Sequence, residues 1–269
     1  MDENEKDVAL PGPHRRNVLR GIGLSVGVAG VAAFGAAAQA ANLEQSDAPG
    51  LGALGAKLAR LPRRRDFKTV PMILTSPDQW DSAALNEVIG YRAGPKQVWD
   101  NTDLAGPWLN LMRNSMNAQI WSWKHPNYLS VSATHGAAHL ALYDQSMWDK
   151  YQIAGFTGGK FASNTLLEVP TAAQADPARF NAPNGPFSPS ANSITVLQQR
   201  GVVFLACHNA IWEFSAALLK KGNNPDKLSH EALAAELTNH LIPGAVVTPG
   251  VVGTILQLQL AGFHYAASA

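Results

Sequence analysis

The only cysteine of this 269-residue chain closes an apolar run, Gly201-Val-Val-Phe-Leu-Ala-Cys207, and is followed by His208 and Asn209. β-branched and aromatic residues in that run read as a strand, and the residues after it read as a helix. In open parallel α/β sheets, ligands and chemistry collect just past the carboxyl ends of strands. A thiol there can be a nucleophile, a metal ligand or a small buried residue, a common fate of free cysteine. A reactive thiolate needs a lowered pKa, supplied by a helix N-terminus or a nearby cation. The helix expected from about Asn209 offers the first; His208 or His135 offers the second when protonated. His135 and His139 stand four apart, and side chains four apart share a helix face. With Cys207 they would make a thiolate–imidazole set suited to zinc or copper, although the spacing is not that of His-Glu-x-x-His. Reactive thiol, inert buried thiol and metal ligand all stay open on these residues.

Other chemistries find less in the sequence. Beyond the first forty residues Gly-x-Ser-x-Gly is absent, and no Ser-His-Asp set or carboxylate pair is legible. Thr248-Pro-Gly-Val-Val-Gly253 follows a strand and opens a helix, yet it is neither Gly-x-Gly-x-x-Gly nor a P-loop with its lysine. A single cysteine excludes an internal disulfide and a Cys-x-x-Cys-His haem attachment. With 21 Lys and Arg against 20 Asp and Glu, no basic surplus points to nucleic acid. The tryptophans read as core or subunit-interface residues, and Arg63-Arg64-Arg65 as a solvated run.

The elements that must position the thiol alternate along the chain. Strands are expected at Gln97–Asp100, Tyr128–Ala133, Val202–Ala206, Ala245–Thr248 and Phe263–Ala266. Helices are expected at about Ser76–Ile89, Leu104–Trp121, Ala137–Lys150, Ser193–Gln199, Asn209–Lys221, Ser229–His240 and Pro249–Leu260. Strand–helix alternation predicts an α/β fold, a three-layer sandwich around a mostly parallel sheet of about five strands. Residues 41–95 read as linker and extension, and 96–269 as the α/β domain. The Pro-, Ala- and Asn-rich stretch at about 155–190 reads as an irregular insertion or a functional lid.

The first forty residues read as an address. Arg15 and Arg16 precede a weakly apolar Gly/Ala stretch that ends in Ala38-Gln-Ala40, a small-x-small cleavage pattern. This resembles a twin-arginine export signal. It implies passage through the twin-arginine translocase and a periplasmic location, with membrane retention as the outcome if the segment is not cleaved.

Three blocks carry a family resemblance: Gly201-Val-Val-Phe-Leu-Ala-Cys207-His-Asn-Ala210, Leu241-Ile-Pro-Gly-Ala-Val-Val-Thr-Pro-Gly-Val-Val-Gly253 and Leu258-Gln-Leu-Ala-Gly-Phe-His-Tyr265. They resemble the DsrE/DsrF-like family. Lys96-Gln-Val-Trp-Asp100 and Ser132-Ala-Thr-His-Gly136 are similar to its first strand and its second strand-to-helix turn. The resemblance implies a three-layer sandwich that assembles into homo-oligomers. In sulfur-handling members it implies a persulfide carried on the cysteine matching Cys207, and a sulfur-donor or acceptor protein as partner. A non-catalytic binding or scaffold protein of the same fold is the alternative.

Overall fold

The computed structural model describes residues 50–168 and 192–268. Arg15, Arg16, Ala40 and most of the 155–190 stretch lie outside the described residues. Five parallel strands form one sheet: β1 (Lys96–Asn101), β2 (Leu129–Thr134), β3 (Val203–Cys207), β4 (Val246–Thr248) and β5 (His264–Ser268), in the order β4-β3-β2-β1-β5. Among the described residues the α-helices are α1 (Leu51–Arg60), α2 (Ser82–Ile89), α3 (Trp108–Asn117), α4 (Gln145–Lys150), α5 (Ile194–Gln199), α6 (His208–Lys221), α7 (His230–Asn239) and α8 (Val251–Leu260).

Crossover handedness explains the layers. Parallel crossovers are right-handed. Three successive steps from β1 to β4 go one way, so their helices share a face. The return from β4 to β5 goes the other way and lays α8 on the opposite face. Two cores result. One packs Trp108, Met112, Trp148, Ile211 and Leu237 against Phe204 and Ala206. The other packs Leu54, Val88, Ile255 and Leu258 against Val203, Leu205 and Cys207. Alternate residues of β3 thus enter opposite cores, as the pleat requires, and the α/β three-layer expectation is met.

Several elements differ from the sequence reading. Leu51–Arg60 is helical and buries Leu54 where the pattern suggested linker; Gly52 and Gly55 had hidden its periodicity. The helix expected from Leu104 starts at Trp108, after Pro107, and ends in a π-turn at Ala118–Ser122. The helix expected over Ala137–Lys150 breaks at Tyr143. A 3-10 turn spans Gly136–Leu142, and Tyr143 is extended and bridges to Leu241. The chain then restarts as α4, where the Asp144 side chain accepts the Met147 amide.

The edge at β4 is closed by side-chain chemistry. The Asp81 amide donates to the Val247 carbonyl at 3.1 Å, and the Val247 amide donates to Asp81 Oδ2 at 2.7 Å. Arg65 grips the same carboxylate with both terminal nitrogens, at 3.2 and 2.9 Å. This pair holds the N-terminal segment against the sheet and blunts an edge open to mispairing. Removing one partner of a buried ion pair leaves the other uncompensated, at about 3–5 kcal/mol. Asp81→Ala is expected to lower unfolding stability by that order in urea titrations. A loss within about 0.5 kcal/mol, the range of ordinary surface substitutions, would show that the carboxylate does not hold this edge.

Candidate functional site

The carboxyl ends of the strands bring a row of polar side chains to the α8 face. Thr134 pairs with Ala206, and Cys207 pairs with Thr248. One step beyond the Thr134–Ala206 pair stand His135 and Cys207, at neighbouring strand ends. Gly136, at φ +54°, makes the turn that follows His135. Its left-handed backbone favours glycine, and an added Cβ would meet the Thr102 carbonyl at 3.1 Å. His135 Nε2 is 2.6 Å from Asp100 Oδ1, and the Tyr265 hydroxyl donates to Asp100 Oδ2 at 2.8 Å. β1, β2 and β5 thereby join in a Tyr265–Asp100–His135 chain. Bonding to that carboxylate, ahead of burial, raises the Tyr265 pKa and keeps the phenol protonated. The carboxylate fixes the ring of His135, as an orienting acid does beside a catalytic histidine.

Cys207 is buried, at 4 % exposure, and its Sγ accepts the Val251 amide at 3.3 Å. Val251 is the first residue of α8, so the sulfur sits at a helix N-terminus. The expected helix was α6. Cys207 is the N-cap residue of α6 but makes no side-chain cap bond there. Its side chain lies on the other face of the sheet, against α8, because β3 alternates and residue 207 falls with Val203 and Leu205.

His208 does not partner Cys207. Its Nε2 bonds the Pro71 carbonyl at 2.8 Å, pinning the N-terminal segment over the strand ends. Burial lowers its pKa, against the opposing pull of the Pro71 and Met72 carbonyls. His139 is also apart from the thiol. It lies in the 3-10 turn, edge-on to Tyr143 with ring centroids 5.2 Å apart, and Tyr143 belongs to the opposite core. His135, His139 and Cys207 therefore do not converge. Among the described residues no group of three or more His, Cys, Asp or Glu side chains is placed to hold zinc, copper or another metal ion.

Sequence reasoning missed Asp100, Tyr265 and the Val251 amide. An acidic residue at the end of the first strand was the available signal for Asp100. Tyr265 and Val251 come into reach only through the strand order, which no local pattern encodes. The larger cavities, about 460 Å³ at the amino ends of β3 and β4 and about 620 Å³ beside Arg64 and Asp78, lie away from this row.

His139 carries a testable electrostatic consequence. Burial, with His135 and His208 nearby, pushes its pKa from 6.5 down to about 3. Below pH 6.5 the unfolded chain takes up a proton that the folded chain refuses down to about pH 3. Stability from this residue is therefore complete above about pH 6.5 and falls as pH drops through that window. In urea titrations, the wild type is expected to lose about 2 kcal/mol more than His139→Phe between pH 7 and pH 5. Equal losses would show that His139 is not held neutral.

No family model matches this chain, and no curated protein and no solved structure matches it either.

Proposed function

We propose that this chain is an exported DsrE-like protein that carries sulfur as a persulfide on Cys207. The observation that carries the reading is the Val251 amide aimed at Cys207 Sγ from the first turn of α8. A helix N-terminus favours negative charge, and an amide donor stabilises a thiolate or persulfide anion. The position adds support. Connections leave β3 and β4 toward opposite faces, and the crevice at such a switch point is where open α/β sheets bind ligands. The transfer step needs no outside oxidant. The Cys207 thiolate attacks the outer sulfur of a donor R–S–SH; the donor S–S bond breaks, its electron pair leaves on R–S⁻, and Cys207–S–SH forms. Asp100-bound His135, at the neighbouring strand end, is the proposed electrostatic partner of the anion. Loss of His208 from this role follows from its bond to Pro71.

Export rests on Arg15, Arg16 and the Ala40 cleavage pattern, and assembly on the resemblance. A homo-oligomer also has support in α8, whose Val252, Leu256 and Leu260 form an exposed apolar stripe at helical spacing.

Incubation of the folded protein with polysulfide is expected to add about 32 Da, one sulfur atom, to the intact mass. Cys207→Ser should take up none. His135→Phe should slow uptake without removing it. An adduct that forms only after unfolding in urea would identify Cys207 as an inert buried thiol and overturn the proposal.

A further inference from the structure

A cavity of about 280 Å³ opens between the Gly136–Leu142 turn and the first turns of α6. It belongs to the carboxyl end of the sheet but not to the Tyr265–Asp100–His135 row. Its walls are mainly apolar: Leu140, Ala210, Phe156 and Phe214. The two phenyl rings meet edge to face at 5.2 Å, and Tyr143 stacks behind Phe214 at 5.7 Å. Two wall residues break the apolar pattern, His139 and Glu213.

His139 is the unusual one. It is 1 % exposed, and neither ring nitrogen has a hydrogen-bond partner. The Tyr143 hydroxyl beside it is likewise buried and unpartnered. A buried polar group left unpaired costs about 1–3 kcal/mol, and such groups in a native fold call for an explanation. A phenylalanine would fill the same space without that cost. Since the ring is neutral, it offers one N–H and one lone pair. Glu213 is exposed on α6 and, among the described residues, is the only ionisable wall residue besides His139. Among the described residues no lysine or arginine forms part of the wall, whose one fixed charge is negative; Lys221 Nζ stands outside it, 4.1 Å from the centre of the Phe156 ring and bonded to the Gly155 carbonyl.

We infer that this cavity is a binding site for a small aromatic amine. Its ammonium pairs with Glu213 at the rim, its ring packs against Phe156 and Phe214, and a polar group on the far side of the ring meets His139. The volume lies just under the range of about 300–1,000 Å³ usual for sites that take drug-sized ligands, so the ligand is a small one. A carboxylic acid of the same shape is repelled by Glu213 and finds no cation among the described wall residues. The inference is independent of sulfur carriage on Cys207.

Calorimetry with benzylamine, phenethylamine and tyramine, beside phenylacetate and 3-phenylpropionate, tests it. Saturable binding of the amines is expected at about 1 mM or tighter. Tyramine, whose hydroxyl reaches farthest, should bind best, and the acids should not bind. Glu213→Gln, an exposed substitution, should weaken amine binding roughly fivefold, the worth of a modest ion pair. His139→Phe should raise the melting temperature while removing the preference for tyramine over phenethylamine. Absence of saturable amine binding, equal binding of acids and amines, or a Glu213→Gln variant with unchanged affinity would each overturn the inference.

Discussion

The handedness of a strand–helix–strand crossover governs this molecule more than any single contact. Three right-handed steps from β1 to β4 commit the helices between them to one face. The fourth connection must span the sheet in reverse to reach β5, and the same handedness forces α8 to the other face. The start of α8 therefore faces the last residue of β3 from across the pleat. The bond between the Val251 amide and Cys207 Sγ is a product of that reversal. So is the crevice at the strand ends, since connections leaving to opposite faces cannot close over the gap between them.

The polar groups on the two sides of this crevice are treated differently. On the α8 face, Asp100 receives both His135 and Tyr265, and each of those groups is partly open to water. Little there is left unsatisfied. On the other face, His139 and Tyr143 are fully enclosed with unpaired polar atoms. Burial drives the His139 pKa down and the Tyr143 pKa well up, so both are held neutral. A fold optimised for stability alone would place apolar rings at these two positions. The difference marks the α8 face as an ordered polar row and the opposite face as a site of strain, where binding has something to relieve.

Much of the fold was legible because sheet and helix periods are local properties. All five strands were read within two residues of their ends, and Gly222 and Gly262 mark the ends of α6 and α8 as their positions suggested. Two kinds of information were not local. The break at Tyr143 depends on its bridge to Leu241, almost a hundred residues away, and α4 depends on the Asp144 cap that restarts it. The site suffered in the same way. The sequence placed Cys207 and His135 at strand ends, which was right. It assigned the thiol to the next helix along the chain, because sequence neighbours are the only neighbours a sequence displays. Strand alternation assigned it instead to a helix that begins 44 residues later. His208 fell away for the same reason: adjacent to Cys207 in sequence, it leaves the strand in a different direction and binds Pro71.

The burial of Cys207 narrows the proposed chemistry. A lone thiol is open to oxidation unless packing shelters it. Here Cys207 belongs to the core that holds Leu205, Val246 and Val251, and among the described residues its hydrogen bond comes from the α8 amide. A donor protein would have to deliver its own sulfur to that depth, through a surface that leaves 4 % of Cys207 open. A small sulfane compound needs only a path of its own width. The same packing that protects the thiol from bulky reactants thus selects among donors by size. On the proposed reading, the donor that loads Cys207 is a small soluble sulfane compound. A partner protein then enters only where the surface opens at the strand ends, beside the segment that His208 holds in place.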